Sequence, residues 1–165
     1  MELELRPWAD ADADALNAAV VASRAHLRPW MPWADASPMT TAERRAWFAA
    51  QTAAGDLLFG AWHGGELVGA VGLHRRIDPG GMEIGYWVHV DHVRRGFATE
   101  MARQACAIAF ASPNVTHVEI HHDVANAPSG RVAAALGFTV VAEVPSRIKA
   151  PGGKGVDRVW RLERP

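Results

Sequence analysis

Hydrophobic and polar positions recur along the chain with two different periods, and the changes between them mark out its elements. Leu3-Glu4-Leu5-Arg6 alternates apolar with charged and reads as a short opening strand, stopped by Pro7 and Trp8. From Asp10 to Ala25 the period lengthens. Ala15, Leu16, Ala19, Val20 and Ser23 fall at helical spacing, and Asp10, Asp12 and Asp14 suit the positive N-terminus of a helix. Two prolines, Pro29 and Pro32, break any helix across His26 to Trp33, so a loop carrying Trp30 and Trp33 is expected there. A second helix is predicted from about Thr41 to Ala54, with Trp47, Phe48 and Gln51 along it and Gly55 placed to end it. Leu57 to His63 and Glu66 to Arg75 are β-like runs joined by Gly64-Gly65, the pattern of a hairpin.

After a turn at Pro79-Gly80-Gly81, the segment Met82 to Val90 is rich in β-branched and aromatic residues and predicts a fourth strand. The bend His92 to Thr99 then changes the period, because Phe97, Met101, Ala105, Ile108 and Ala109 recur at spacings of three and four. His117 to His122 reads as a fifth strand and Arg131 to Leu136 as a short helix closed by Gly137. Phe138 to Val144 and Val156 to Leu162 are two last strands, separated by a glycine-rich loop over 148–155 that is expected to be mobile. This order predicts an α/β (α+β) fold: one domain over residues 1–165, with a mixed, mostly antiparallel sheet of about seven strands and helices on both faces.

Composition narrows the function classes. At 165 residues the chain is large enough for a sizeable core and small for two domains. A formal net charge of −1 gives no overall attraction to nucleic acid or to an acidic membrane. The single cysteine, Cys106, rules out an internal disulfide framework and a zinc-type cluster, and it reads as a small buried residue, so no metal site is expected. No apolar run reaches the roughly 18 residues of a membrane span, and a cytoplasmic protein is expected.

The bend is the chemically distinctive stretch. The first N–H groups of a helix lack intrahelical partners and lie at the positive end of its dipole. Gly96 lets an anionic ligand approach the backbone, and Arg94 and Arg95 add positive charge. The competing reading is an ordinary strand-to-helix turn with two solvated arginines.

Two stretches in order carry a family resemblance. Glu83-Ile84-Gly85-Tyr86-Trp87-Val88 leads into Arg95-Gly96-Phe97-Ala98-Thr99-Glu100, and Asn126-Ala127-Pro128-Ser129 leads into Ala135-Leu136-Gly137-Phe138. Together they resemble the GNAT superfamily of N-acetyltransferases, and more narrowly the branch that acetylates ribosomal-protein N-termini. His26 to Trp33 is similar to that branch as well. The resemblance implies a sheet splayed between its fourth and fifth strands, with acetyl-CoA as cosubstrate held in the opening. It implies that the pantetheine arm pairs with backbone at Val88, His89 and Val90. The pyrophosphate would lie on the N–H groups of Arg94, Arg95, Gly96, Phe97, Ala98 and Thr99. Asn126 is implied near the cofactor arm and Ser129 in handling the leaving thiol. Two positions depart from the family pattern: Val93 stands where the loop usually has Arg or Gln, and Ala133 where many members have a tyrosine acid. Backbone N–H groups do not depend on side chains, so cofactor binding is expected to survive the first departure.

Transfer of acetyl to an amine needs a base for the amine, a donor to polarise the thioester carbonyl, and a proton for the thiolate. A backbone N–H near Val88 or His89 is the simplest donor. Glu83, on the strand face shared with Gly85 and Trp87, is expected as the base, acting through water; His74, His121 and His122 are rivals. His121 and His122 must point to opposite faces, so at most one can serve. Trp30, Trp33 and Trp87 are expected to wall the acceptor site if they converge. The expected partners are acetyl-CoA and an amine acceptor, either a protein or peptide N-terminus or a small molecule such as an antibiotic or a polyamine, with a homodimer as the candidate assembly. The alternative is a non-catalytic acyl-CoA-binding domain.

Overall fold

In the computed structural model, which describes residues 1–165, each periodic stretch folds as the element its period predicts. The elements follow as β1 (Glu4–Pro7), α1 (Ala13–Leu27), α2 (Thr41–Ala53), β2 (Leu57–His63), β3 (Glu66–His74), β4 (Gly81–Val88), α3 (Phe97–Phe110), β5 (His117–Asp123), α4 (Ala127–Ala135), β6 (Thr139–Pro145) and β7 (Val156–Glu163). Helix α2 starts on a capping box: Thr40 Oγ1 accepts from the Glu43 amide at 3.1 Å, and Glu43 returns a carboxylate to the Thr40 amide. Three boundaries differ from expectation. A 3-10 turn at Asp10–Asp12 precedes α1, and another at Val90–His92 ends the fourth strand early. Helix α4 begins at Ala127 rather than Arg131, because Pro128 in its first turn lacks only an N–H that would be unpaired anyway.

The strands form one sheet in the order β1-β2-β3-β4-β5-β7-β6. All neighbours are antiparallel except β4 and β5, which are parallel and joined by the α3 crossover. That parallel ladder is short. Gly81 pairs with His117, Met82 with Val118 and Glu83 with Glu119; beyond them β4 stays with β3 as far as Val88 while β5 stays with β7 as far as Asp123. The sheet therefore opens between its fourth and fifth strands, as the resemblance implies.

Helices cover both faces. On one, Phe97, Met101, Ala105 and Ala109 of α3 are at most 2% exposed and pack with Met82, Ile84, Val118 and Ile120. On the other, Leu16 of α1 and Phe48 of α2 pack with Trp8, Trp47 and Trp87. Strand alternation divides β4 accordingly: Met82, Ile84, Tyr86 and Val88 face α3 and α4, whereas Glu83, Gly85 and Trp87 face α1 and α2. The loop over 148–155 is tethered rather than free. Its Gly152 amide donates to Pro29 O at 2.8 Å, and the Lys154 and Gly155 amides donate to Asp123 Oδ2 at 2.8 and 3.0 Å.

Where β4 ends, α1 holds the chain. Ser23, fully buried, accepts from the Val90 amide at 3.0 Å. Ser23→Ala would leave that amide without its acceptor and is expected to cost about 1–3 kcal/mol of stability, read as a lower midpoint in urea unfolding.

Candidate active site

A cleft of about 660 Å³ lies between α1 and α2 on one side and β3, β4 and β5 on the other. Trp30, Trp33 and Trp87, expected to wall the acceptor site, all line it. Trp33 and Trp87 meet with ring centroids 6.2 Å apart at an interplanar angle of 60°. Trp47, from α2, adds a further aromatic wall.

The bend beside this cleft has the backbone of an anion cradle. Arg94 is the one non-glycine residue with positive φ, at 60°, and Gly96 follows at 83°. Left-handed residues on either side of Arg95 turn successive amides to one side, as in a backbone nest. The amides of Arg94, Arg95, Gly96, Phe97, Ala98 and Thr99 find no acceptor in the chain; the first with a partner is Glu100, donating to Gly96 O at 3.1 Å. Six unpaired donors in sequence at the start of a 14-residue helix are suited to a pyrophosphate. The arginine side chains contribute less than expected: Arg95 stacks over Phe97 at 5.0 Å and contacts His92 Nδ1 at 3.0 Å.

The fourth strand needs a correction. The amides of His89 and Val90, expected to pair with a pantetheine arm, are already used: His89 donates to Val68 O at 2.8 Å and Val90 to Ser23 Oγ. Since His89 faces β3, antiparallel alternation turns the N–H and C=O of Val88 and Tyr86 the other way, into the opening toward β5. Val88 is the member of the expected trio whose N–H is directed there.

Across the opening, Ser129 and Tyr86 form a hydroxyl pair at 2.8 Å. Burial pushes the Tyr86 phenol up to about 12, against the opposing effect of the Ser129 hydrogen bond, so it remains a neutral donor. Tyr86 is missing from the residues expected from sequence, although it is the chain's single tyrosine and sits on the β4 face that α4 covers. Asn126 caps α4, its side chain bonding none of the helix amides. Ala133 is fully buried in the core, which explains why no polar residue occupies it.

Glu83, expected as the general base, is engaged otherwise. It is 3% exposed; Arg76 Nε binds Oε2 at 2.5 Å and Arg147 Nη2 binds both oxygens, with 2.8 Å to Oε2. His121 Nδ1 stands 3.5 Å from Oε1, and His121 Nε2 meets Glu119 Oε1 at 2.8 Å. Burial alone would raise the Glu83 pKa, but the charge and hydrogen bond of Arg76, with His121 and Arg147, outweigh it and hold the carboxyl below its ordinary range. A carboxylate so held is a weak base. His121 has a carboxylate beside each ring nitrogen, so both nitrogens face Glu83 and Glu119 rather than the cleft's open space.

The other two histidines divide cleanly. His122, on the opposite face from His121, accepts from Trp160 Nε1 at 2.8 Å and pairs its Nδ1 with Asp123 O at 2.7 Å. Burial lowers its pKa, and both nitrogens are occupied. His74 differs. Its Nδ1 meets Asp56 Oδ2 at 2.8 Å, while its Nε2 has no partner in the protein and lies on the cleft face beside Gly85. Cys106 is buried and its thiol pushed up to about 11 by burial, the state of an inert core residue.

Comparison with known proteins bears on this geometry. A family model described as an acetyltransferase (GNAT) domain matches residues 2–139. No curated protein matches by sequence. Among solved structures, RimL, a ribosomal L7/L12 alpha-N-protein acetyltransferase in complex with coenzyme A, is similar at a TM-score of 0.84 and 20% identity, over 98% of this chain and 93% of that one. RimJ of Mycobacterium smegmatis, in complex with CoA-disulfide, gives 0.84 and 22% over 98% and 81%. The microcin C7 self-immunity acetyltransferase MccE, in complex with acetyl-CoA and AMP, gives 0.86 and 16% over 99% and 93%. At these identities the structural likeness is one of fold.

The Glu83 network also makes a statement about pH. A carboxyl with a lowered folded-state pKa stabilises the fold fully above its ordinary value of 4.5, and that contribution is lost as pH falls through the folded value. Glu83→Gln is expected to cost about 3 kcal/mol near neutral pH, the low end for a broken buried pair because Arg76 and Arg147 are half-exposed. It should also lose less stability than the parent on acidification to about pH 3. Urea unfolding at both pH values checks this, and equal acid sensitivity in the two proteins would contradict it.

Proposed function

The chain belongs to the GNAT acetyltransferase family, and within that family we propose that it transfers acetyl from acetyl-CoA directly to a primary amine, with the N-terminus of a peptide or protein as the acceptor class. The observation that carries the reading is the run of unpaired amides from Arg94 to Thr99 beside the opening between β4 and β5. The RimL structure among its neighbours, a ribosomal L7/L12 alpha-N-protein acetyltransferase, supports the choice of acceptor.

Bound acetyl-CoA supplies an acetyl thioester, in which an amine displaces the thiol. The residues of the chain divide the remaining work. The amides of Arg94 to Thr99 bind the pyrophosphate, Val88 aligns the arm along the open edge of β4 and offers its N–H to the carbonyl, and Asn126 borders the same opening. His74 Nε2 takes the amine proton, while Asp56 holds Nδ1 and stabilises the charged ring. The Ser129 hydroxyl donates to the departing thiolate, and Tyr86, bonded to it, supports that transfer. Trp30, Trp33 and Trp87 hold the acceptor against the β4 face opposite Tyr86. The departure at Ala133 of α4 is thus answered by Ser129 on the same helix with Tyr86 of β4, which favours a working enzyme over a non-catalytic acyl-CoA-binding domain.

Free-thiol release from acetyl-CoA with a panel of amines tests the reading, and binding without release on any amine would reject it. His74→Gln is expected to lower kcat by about 10²-fold or more with little change in acetyl-CoA affinity. Ser129→Ala should lower kcat with little change in acetyl-CoA affinity; unchanged turnover would assign the proton to water. Replacing Gly96 by Val forces a β-branched residue into a φ of 83° and should weaken acetyl-CoA binding about tenfold or more by calorimetry. Gly96→Asn, which tolerates that conformation, should keep most of the affinity.

A further inference from the structure

The α1–α2 wall of the cleft carries a charge for which the chain supplies no counterion. Four residues with full charges are buried: Asp12, Arg44, Glu83 and Glu119. Three of them face a guanidinium. Arg6 meets Asp12 at 3.1 Å, Arg76 meets Glu83, and Arg161 meets Glu119 at 2.6 Å. Arg44 has nothing comparable.

Its surroundings hold it in place without neutralising it. Arg44 Nε donates to Asn17 Oδ1 at 2.8 Å, and Asn17 is fixed in turn by donating to Met39 O at 2.9 Å. The guanidinium lies over the Trp47 ring, 5.2 Å from its centroid. Neither terminal amino group has an acceptor in the protein, and both Arg44 and Asn17 line the cleft. Burial lowers the Arg44 pKa with no carboxylate to oppose it. Arg24, on the same wall, is likewise without a carboxylate and donates to Ala34 O and Ala36 O at 3.2 and 3.4 Å.

No carboxylate of the far wall pairs with Arg44. Glu83 is committed to Arg76 and Arg147, Asp123 accepts from the amides of Ala125, Lys154 and Gly155, and Asp157 accepts from Ser146 at 2.7 Å. The two amino groups of Arg44 are not sealed from the cleft, since Trp62 Nε1 is the buried side-chain nitrogen left without a partner, and a guanidinium with two free amino groups presents the planar fork that receives a carboxylate with two parallel hydrogen bonds.

We propose that Arg44 reads an anionic group on the acceptor, so that the amine acetylated here also carries a carboxylate, seated on the Arg44 fork beside the Trp47 and Trp33 rings. This rests on the acetyl-transfer reading of the same cleft and names its substrate class. The carboxylate comes either from an acidic side chain near a peptide N-terminus or from the α-carboxylate of a free amino acid. Polyamines, which would bring like charge to Arg24 and Arg44, are excluded from the class.

The test compares acceptors matched except for charge: Ser-Glu-Ala-Ala-amide with Ser-Gln-Ala-Ala-amide, and leucine with leucinamide, with thiol release followed for the full chain. The parent protein is expected to favour the acidic member of one pair about tenfold or more through KM, and the pair that shows the preference identifies the source of the carboxylate. In Arg44→Gln that preference should collapse toward unity, and Arg44→Lys should retain part of it. A preference that survives in Arg44→Gln overturns the proposal, as does a variant that weakens both members alike, the mark of a merely structural arginine. Tryptophan fluorescence of the parent protein, titrated with N-acetylglutamate and with N-acetylglutamine, needs no variant and no turnover. Saturable quenching by the first alone supports the anion site even if no amine is acetylated, an outcome that would reject the acetyl-transfer reading, and with it the acceptor assignment, while leaving Arg44 as a carboxylate site. Equal responses to the two compounds would overturn it.

Discussion

The structure turns on the point where β4 and β5 stop pairing. There Glu83 and Glu119 stand opposite one another in register, two buried carboxylates that would repel if left alone. Arg76 and Arg147 close on the first, Arg161 on the second, and His121 lies between them with a nitrogen toward each. Removing one partner from such a network is costly because it strands a buried charge, so each member holds the others in place. The network fixes the last residues at which the two strands can share a ladder. Everything beyond them opens.

From that point β4 is free on one edge and differentiated on its two faces. Its edge offers the Val88 and Tyr86 backbone to the opening, and its far end feeds the unpaired amides of the bend. One face turns Tyr86 to Ser129 on α4. The other turns Gly85 and Trp87 to the aromatic cleft. Two substrates can thus approach a single strand from opposite sides, with the period of two in the pleat separating the donor machinery from the acceptor pocket.

The cleft itself is asymmetric in charge. On the sheet side, Glu83 is paired with Arg76 and Arg147, Glu119 with Arg161, and His74 keeps its Nε2 without a partner while Asp56 holds its Nδ1. On the helix side, Arg24 and Arg44 line the cavity and neither is paired with a carboxylate, their acceptors being the carbonyls of Ala34 and Ala36 and the Asn17 amide oxygen. A site that is satisfied on one wall and unsatisfied on the other is prepared for a ligand with a charged end, because an unpaired buried charge is stabilised only when a partner arrives.

What the sequence determined by itself is whatever depends on near neighbours. Periodicity named seven strands and four helices, glycine and proline punctuated them, and the unpaired amides of the bend were legible because they follow from a helix start within a few residues of chain. Tertiary structure decided which polar side chains are free to act. Glu83 looked available on its strand until Arg147, 64 residues away, closed on it; Tyr86 acquired a role from Ser129, 43 residues on; His74 gained an orienting carboxylate from Asp56, 18 residues back. His89 and Val90 lost their amides to β3 and to α1 in the same way. A lone pair or an N–H is available only if nothing across the fold has claimed it, and that depends on partners brought together by folding rather than on local pattern.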